Sequence, residues 1–181
     1  MIIYQGVTEE RALAIAREVA IQAMEQYALD AVAVAQERID ELTQRLIPQL
    51  AEQGRLGAFA DPAFQVALKH AQIGAASTER DVDYDMLARL LNDHAGRAGV
   101  RPVRASIRRA IEVVDQLDTV ALRALTVHAA LMTYFPGSGT LDDGLQALEE
   151  MHFDLVGDEP LPKNRDWIEH LDVLDAVRVN T

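Results

Sequence analysis

Residues 8–53 read TEERALAIAREVAIQAMEQYALDAVAVAQERIDELTQRLIPQLAEQ, and this stretch decides the fold class. Leu13, Ala16, Ala20, Ala23 and Tyr27 recur at alternating steps of three and four, and Val32, Ala35, Ile39, Leu42 and Leu46 repeat the pattern. Such spacing keeps one stripe of an α-helix turned toward a partner. Thr8 is a good N-cap, followed by Glu9 and Glu10 in the first turn, where the helix dipole favours acids. The step through Tyr27, Ala28, Leu29 and Asp30 predicts a break, with Asp30 capping a second helix; one uninterrupted helix is the alternative. Pro48 is expected to kink or end the second helix, since it donates no hydrogen bond and crowds the carbonyl of Gln44. The ten stripe residues form a candidate association seam, serving either as an interface between copies or as the contact of two arms within one bundle.

Further along, Asp61-Pro62 pairs a capping carboxylate with proline at the first helical position. Phe64, Ala67, Leu68, Ala71 and Ala75 make the expected buried face of that helix. Asp81 or Asp83 begins another, with Tyr84, Leu87, Leu90, Leu91 and His94 inward, and Gly96 and Gly99 end it. Pro102 opens a strongly amphipathic helix with Val103, Ile107, Ala110, Val114 and Leu117 on one side. Asp118 caps the next, which is apolar on nearly every face to Phe135 and is therefore expected in the middle of the bundle. Pro136 to Gly139 is a turn, and Thr140 with Asp143 resembles a capping box for a short helix. The stretch from Gly157 to Asn164, with Pro160 and Pro162, reads as a linker to an acidic segment bearing Trp167, Leu171, Leu174 and Val177 along one side. Strand signals are confined to the two ends, Met1–Gly6 and Val177–Asn180.

These patterns predict an all-α, multi-helix bundle with coiled-coil-like N-terminal helices and a small C-terminal appendage. The expected division is a bundle domain over 1–156, its association helices at about 8–53, and a linker with an acidic segment over 157–181, in the manner of a piece of a longer protein. At 181 residues the chain holds about one domain's worth of sequence. Apolar residues make up 49% and aromatic ones 5%, so aliphatic side chains must build the core. The absence of cysteine excludes disulfides, thiolate zinc sites and cysteine nucleophiles, and fits a reducing cytoplasm. No apolar run approaches the length of a membrane span. The formal net charge of −12 disfavours phosphate backbones, so nucleic acid is not an expected partner. Residues 140–181 carry 11 acids against 3 bases and hold most of that charge.

Several segments together resemble an uncharacterised bacterial family known by locus-tag names. They are the lead-in Ile2-Ile3-Tyr4-Gln5-Gly6-Val7-Thr8, the helix Ala35-Gln36-Glu37-Arg38-Ile39-Asp40-Glu41-Leu42, the segment Asp61-Pro62-Ala63-Phe64-Gln65-Val66-Ala67-Leu68, the run from Asp85 to Asp93, and the stretch from Leu117 to Leu122. The likeness spans about residues 2–135. It implies an intracellular helical protein, in many members longer than this chain, and carries no activity or catalytic residue across.

The chemistry-bearing residues read as follows. Asp81, Asp83 and Asp85 open like a calcium loop, but Met86 and Asn92 stand where such a loop needs glycine and a bidentate glutamate. Helix capping is the stronger reading. The histidines at 70, 94, 128, 152 and 170 show no i, i+4 pair and no metalloprotease motif. His128, on the helix expected to be central, is read as a core histidine that needs a hydrogen-bond partner; a metal site would need His70 and His94 to converge on Asp81 or Asp85. Ser77, Ser106 and Ser138 sit in no nucleophile elbow, and Gly137-Ser138-Gly139-Thr140 lacks the lysine of a phosphate loop. Between Gly96 and Ile111 every charged residue is arginine. Arg101, Arg104 and Arg108 on this ridge suit carboxylates and phosphates; the competing readings are a solvated face and local pairing, as of Arg108 with Glu112.

The leading expectation for function is therefore a non-enzymatic self-association and protein-interaction module, without cofactor or metal, forming a homo-oligomer with another protein partner as a further option. A regulatory domain holding an anionic small molecule at the arginine ridge is the alternative.

Overall fold

The structure is a computed structural model that describes residues 9–97, 99–134, 140–156 and 161–177. Among them it is all-helical, as expected, with seven α-helices: α1 Glu9–Glu52, α2 Pro62–Ser77, α3 Asp81–Gly96, α4 Arg101–Val113, α5 Thr119–Thr133, α6 Leu141–Val156 and α7 Asp166–Val173. Short 3-10 turns lie at Leu56–Ala60 and Val114–Gln116. The expected strands at Met1–Gly6 and 178–180, and the turn at 136–139, fall outside the described residues. The chain divides into two compact units, 1–115 and 116–181, with the proline-containing stretch after Gly157 inside the second.

The first correction concerns the opening helices. The break expected at Tyr27–Asp30 does not occur, and α1 runs unbroken for 44 residues, about 66 Å at 1.5 Å per residue. Alanine-rich sequence with no glycine has high helix propensity throughout, so Asp30 alone does not stop it. Its side chain accepts a hydrogen bond from Gln26 Nε2 at 2.8 Å, one helical turn back. Pro48 also sits inside the helix. What ends α1 is Gly54, with φ of 63°, a left-handed conformation that glycine adopts without steric cost. Around it the Gly54 and Arg55 amides donate to the carbonyls of Ala51 at 3.0 Å and Leu50 at 2.7 Å.

In the first unit the C-terminal part of α1 packs on α2 and α3, and α4 packs on the same two helices. Leu42, Leu46, Leu50, Phe64, Tyr84, Leu87, Leu91 and Ile111 are the large side chains of its core. The α2 face is laid out as the sequence predicts: Phe64, Ala67, Ala71 and Ala75 are buried, and Asp61 caps the helix by accepting from Ala63 N at 2.9 Å. The small alanines let α1, α3 and α4 approach α2 closely, while Leu and Phe fill the layers between. On α3, Tyr84, Leu87, Leu91 and His94 point inward. Arg55 ties the end of α1 to the end of α3, donating to Asn92 O at 2.9 Å and Oδ1 at 3.2 Å. Its guanidinium lies where a side chain at Gly96 would stand, 2.6 Å from the ideal Cβ position. Any larger residue at 96 would displace it.

The second unit consists of α5, α6 and α7, with α5 against both of the others. Asp118 caps α5, accepting from Ala121 N at 2.7 Å. Thr140 and Asp143 form the expected capping box: Thr140 N donates to Asp143 Oδ2 at 2.8 Å and Asp143 N to Thr140 Oγ1 at 3.3 Å. These bonds hold the Asp143 carboxyl below its ordinary range. The all-round apolar α5 does not lie at the centre of one bundle. Ala121, Ala124, Val127 and Ala130 bury one face, whereas Met132 and His128 are exposed. Much of its apolar character is alanine, which favours helix without demanding burial. Leu171 on α7 is buried, and Trp167 is held by its indole N–H, which donates to Pro162 O at 3.2 Å.

Candidate functional site

Two features stand out, and both belong to the first unit. The first is the N-terminal half of α1. Every residue from 10 to 34 is exposed except the half-buried Ala23. Leu13, Ile15, Val19, Ile21, Met24, Tyr27, Leu29, Val32 and Val34 are all exposed large apolar side chains, several by more than half. The predicted seam is thereby split. Leu42 and Leu46 are core residues and Ala35 and Ile39 are half-buried, while Leu13, Ala16, Ala20, Tyr27 and Val32 are exposed.

The reason lies in the step from Tyr27 to Val32. Five residues separate them, and at about 100° per residue the second stripe falls roughly a quarter turn away from the first. In two separate helices that offset would not matter; in one continuous helix the two stripes face different directions. The true continuation of the first stripe is Asp30 and Val34, at steps of three and four from Tyr27. Both are exposed. The stripe Leu13, Ala16, Ala20, Ala23, Tyr27, Asp30, Val34 is uncharged except at Asp30. Sequence reading missed its last two members, although the irregular step of five was the signal for them.

The second feature is a cleft of about 550 Å³ lined by Ala63, His94, Arg101, Arg104 and Arg108 among others. The three arginines of the predicted ridge lie on one face of α4, at steps of three and four. Arg104 is the most enclosed of them. Its Nη2 meets Asp61 Oδ2 at 2.5 Å, and its Nε donates to His94 Nε2 at 3.4 Å. Asp61, which also accepts from Ala63 N, is held below the ordinary carboxylate range first by that backbone bond and then by Arg104. His94 is 3% exposed and packs at a tilt on Phe64. Burial, and then the Arg104 charge, pushes its pKa below the ordinary histidine value. Arg108 lies 3.7 Å from Glu112, the local pairing expected of it, and Glu112 also meets Arg109 at 3.5 Å and His70 Nδ1 at 3.2 Å.

The remaining candidates take structural parts. Arg45 gathers three carboxylates, Glu41 at 2.8 Å, Asp81 at 3.0 Å and Asp85 at 3.1 Å, and lies 5.1 Å from the centre of the Tyr84 ring. The calcium-like pattern is thus divided: Asp81 and Asp85 face an arginine, while Asp83 is buried and bonded to the Thr78 hydroxyl and to Arg80 Nε at 2.9 Å. His70 and His94 do not converge on these aspartates. Among the described residues no group of three or more histidine or acidic side chains is arranged to hold a metal. His128 is exposed rather than buried, and with Leu125, Trp167 and Ile168 it lines an apolar cleft of about 560 Å³ in the second unit. Among the described residues no helix is long and apolar enough to cross a membrane.

No curated protein and no solved structure matches the chain. One family model does, over residues 6–180, and so extends the likeness read from the sequence through α6 and α7. The chain belongs to that uncharacterised family, which is named by locus tag.

Proposed function

We propose that this chain is a non-enzymatic helical module that assembles with copies of itself through residues 10–34 of α1. The observation that carries the reading is the set of nine exposed large apolar side chains on that one segment. Water opposes so large an apolar surface, and patches of this kind in soluble proteins mark interaction sites. Residues 10–34 span about 37 Å, between three and four heptads, which is enough for a paired helix.

A second copy is the occupant favoured by charge. Arg11 and Arg17 are the only bases from 10 to 34, and both lie in its first half; residues 21–34 carry Glu25 and Asp30 and no base. An antiparallel pair centred near Ala20 sets each arginine against the acidic half of its partner and brings Ala16, Ala20 and Ala23 to the closest approach. Such a two-fold contact is self-complementary. The cytoplasmic setting and the exclusion of nucleic acid belong to the same reading, supported by the family likeness and by the charge of −12.

Light scattering on the full chain tests this directly. The expected mass is twice 20.0 kDa, falling to the monomer in Ala20→Asp while far-ultraviolet helicity is kept. A monomer at every accessible concentration sinks the reading. Orientation is tested by cysteine, since the chain has none. In an antiparallel pair centred on Ala20, the two copies of position 13 lie about 21 Å apart, beyond disulfide reach. Leu13→Cys alone should give no linked dimer, whereas mixing it with Tyr27→Cys should.

A further inference from the structure

We infer that the cleft between α2, α3 and α4 is a binding site for a small phosphate-bearing anion, with Arg101, Arg104 and Arg108 as its cationic wall and His94 as a buried donor. The inference is independent of self-association, because it concerns residues outside the exposed half of α1.

Four observations carry it. Arg101, Arg104 and Arg108 all line one cleft, and among the described residues no carboxylate side chain does. In a chain of net charge −12, an arginine-only wall is a concentration of the scarcer charge. Arg101 makes no ion pair with any described residue, and Arg108 meets its nearest acid, Glu112, only at 3.7 Å. Both are exposed, so their guanidinium forks are open to a ligand.

The histidine supplies the fourth observation. A guanidinium only donates hydrogen bonds. Because Arg104 Nε donates to His94 Nε2, that nitrogen is the acceptor, and in the neutral ring the hydrogen sits on Nδ1. That Nδ1 is buried and has no hydrogen-bond partner. A buried donor without an acceptor is costly, and because His94 lines the cleft, an anion oxygen that displaces the atoms covering Nδ1 would supply that acceptor. Asp61 does not serve in the structure, where its oxygens meet Arg104 and the Ala63 amide.

The volume of about 550 Å³ falls in the usual range for small-molecule sites. A phosphate monoester suits three arginines better than a single carboxylate, since it carries nearly two charges and three strong acceptor oxygens.

The test uses the full chain and inorganic phosphate as the probe, titrated by calorimetry against sodium chloride of equal ionic strength. The expected result is saturable binding that weakens about tenfold in both Arg101→Ala and Arg108→Ala. Neither variant should change the thermal midpoint measured without phosphate. In Arg89→Ala, which removes an exposed arginine on α3 away from the cleft lining, binding should be unchanged. Nitrogen NMR of the His94 ring gives a second readout: the Nδ1–H tautomer in the free protein, with its Nδ1 resonance shifting on saturation. Heat that never saturates, or weakening that is as large in Arg89→Ala, would mean general charge screening and overturn the site. Succinate binding as tight as phosphate, with the same arginine dependence, would overturn the phosphate assignment in favour of a dicarboxylate.

Discussion

The two halves of α1 are built from nearly the same alphabet and meet opposite fates. Residues 35–50 bring Leu42, Leu46 and Leu50 to 2% exposure or less. Residues 10–34 leave Leu13, Ile21, Met24 and Tyr27 exposed by more than half. Burial of one leucine stabilises by about 1.5–3 kcal/mol, so the C-terminal half is held by its packing on α2 and α3, while the N-terminal half has only helix propensity and the continuity of the chain. Arg38 stands near the transition. It donates to Ala76 O at 3.0 Å and meets Glu79 at 2.7 Å. Residues before it are exposed, apart from the half-buried Ala23 and Ala35. Apolar content therefore does not decide which half is core; the angular position of each stripe relative to the rest of the unit does.

The sharpest way to break this comparison is to place a carboxylate in each half. Leu46→Asp buries an unpaired charge among Leu42, Leu50 and Leu87, and is expected to abolish cooperative unfolding of the first unit, since the penalty rivals the whole stability of a domain. Ala20→Asp should leave circular dichroism intact and change only the mass measured by light scattering. Equal unfolding in the two variants would mean that the halves are not distinct. A gentler pair is Leu50→Ala, expected to cost about 2–5 kcal/mol in urea denaturation, against Leu29→Ala, expected within about 0.5 kcal/mol. Leu29 lies on the side of the helix away from the stripe of Leu13, Ala20 and Tyr27, so its change should also spare assembly.

How much of this was legible follows from which interactions are local. Helix starts written by one or two residues, at Asp61-Pro62, at Asp118 and at Thr140 with Asp143, appear where the sequence places them because a cap needs only its own first turn. The α2 face was equally legible, since Phe64, Ala67, Ala71 and Ala75 face the core along the whole helix. Continuity of α1 was not. Asp30 is a fair cap in isolation, and only the competing propensity of its alanine neighbours overrules it. Among the site residues, the arginine ridge was visible from its one-sign charge run. Its partners were hidden, because Asp61 and His94 come from separate helices 43 and 10 residues from Arg104. No local pattern encodes that meeting.

Two smaller changes probe the buried half alone. Pro48 is exposed and interrupts no side-chain packing, but it withholds a hydrogen bond from the helix. Pro48→Ala should stabilise the first unit by about 1–2 kcal/mol, the helix gain exceeding the entropy returned to the unfolded chain. Destabilisation would show that the proline's fixed backbone angle is needed at this point of α1. Arg45→Ala removes three carboxylate contacts and the approach to Tyr84. Because those carboxylates are largely exposed, the expected loss is only about 1 kcal/mol, shrinking as salt is raised. Neither substitution should alter assembly.

The last contrast is in pH. His94 is buried against α2 and α4, and its charged form is disfavoured in the folded chain, so its folded pKa lies below the ordinary value of 6.5. As pH falls through about 6.5 the unfolded chain takes up a proton that the folded chain refuses, and stability drops until the folded pKa is reached. The contribution is fully present above that window. Asp61 runs the same way lower on the scale: its folded pKa is also lowered, so its share is present above the ordinary carboxylate pKa and is lost only in more acid solution, as pH falls through the folded value. Between pH 7.5 and 5.5 the urea midpoint of the first unit should therefore fall, and fall less in His94→Gln. The N-terminal half of α1 has no histidine, so pairing there, between arginines and carboxylates, should hold its mass constant across the same range. A midpoint that declines equally in His94→Gln would assign the titration to another group. A mass that tracks the midpoint would tie the exposed half of α1 to the folded unit more closely than its exposure allows.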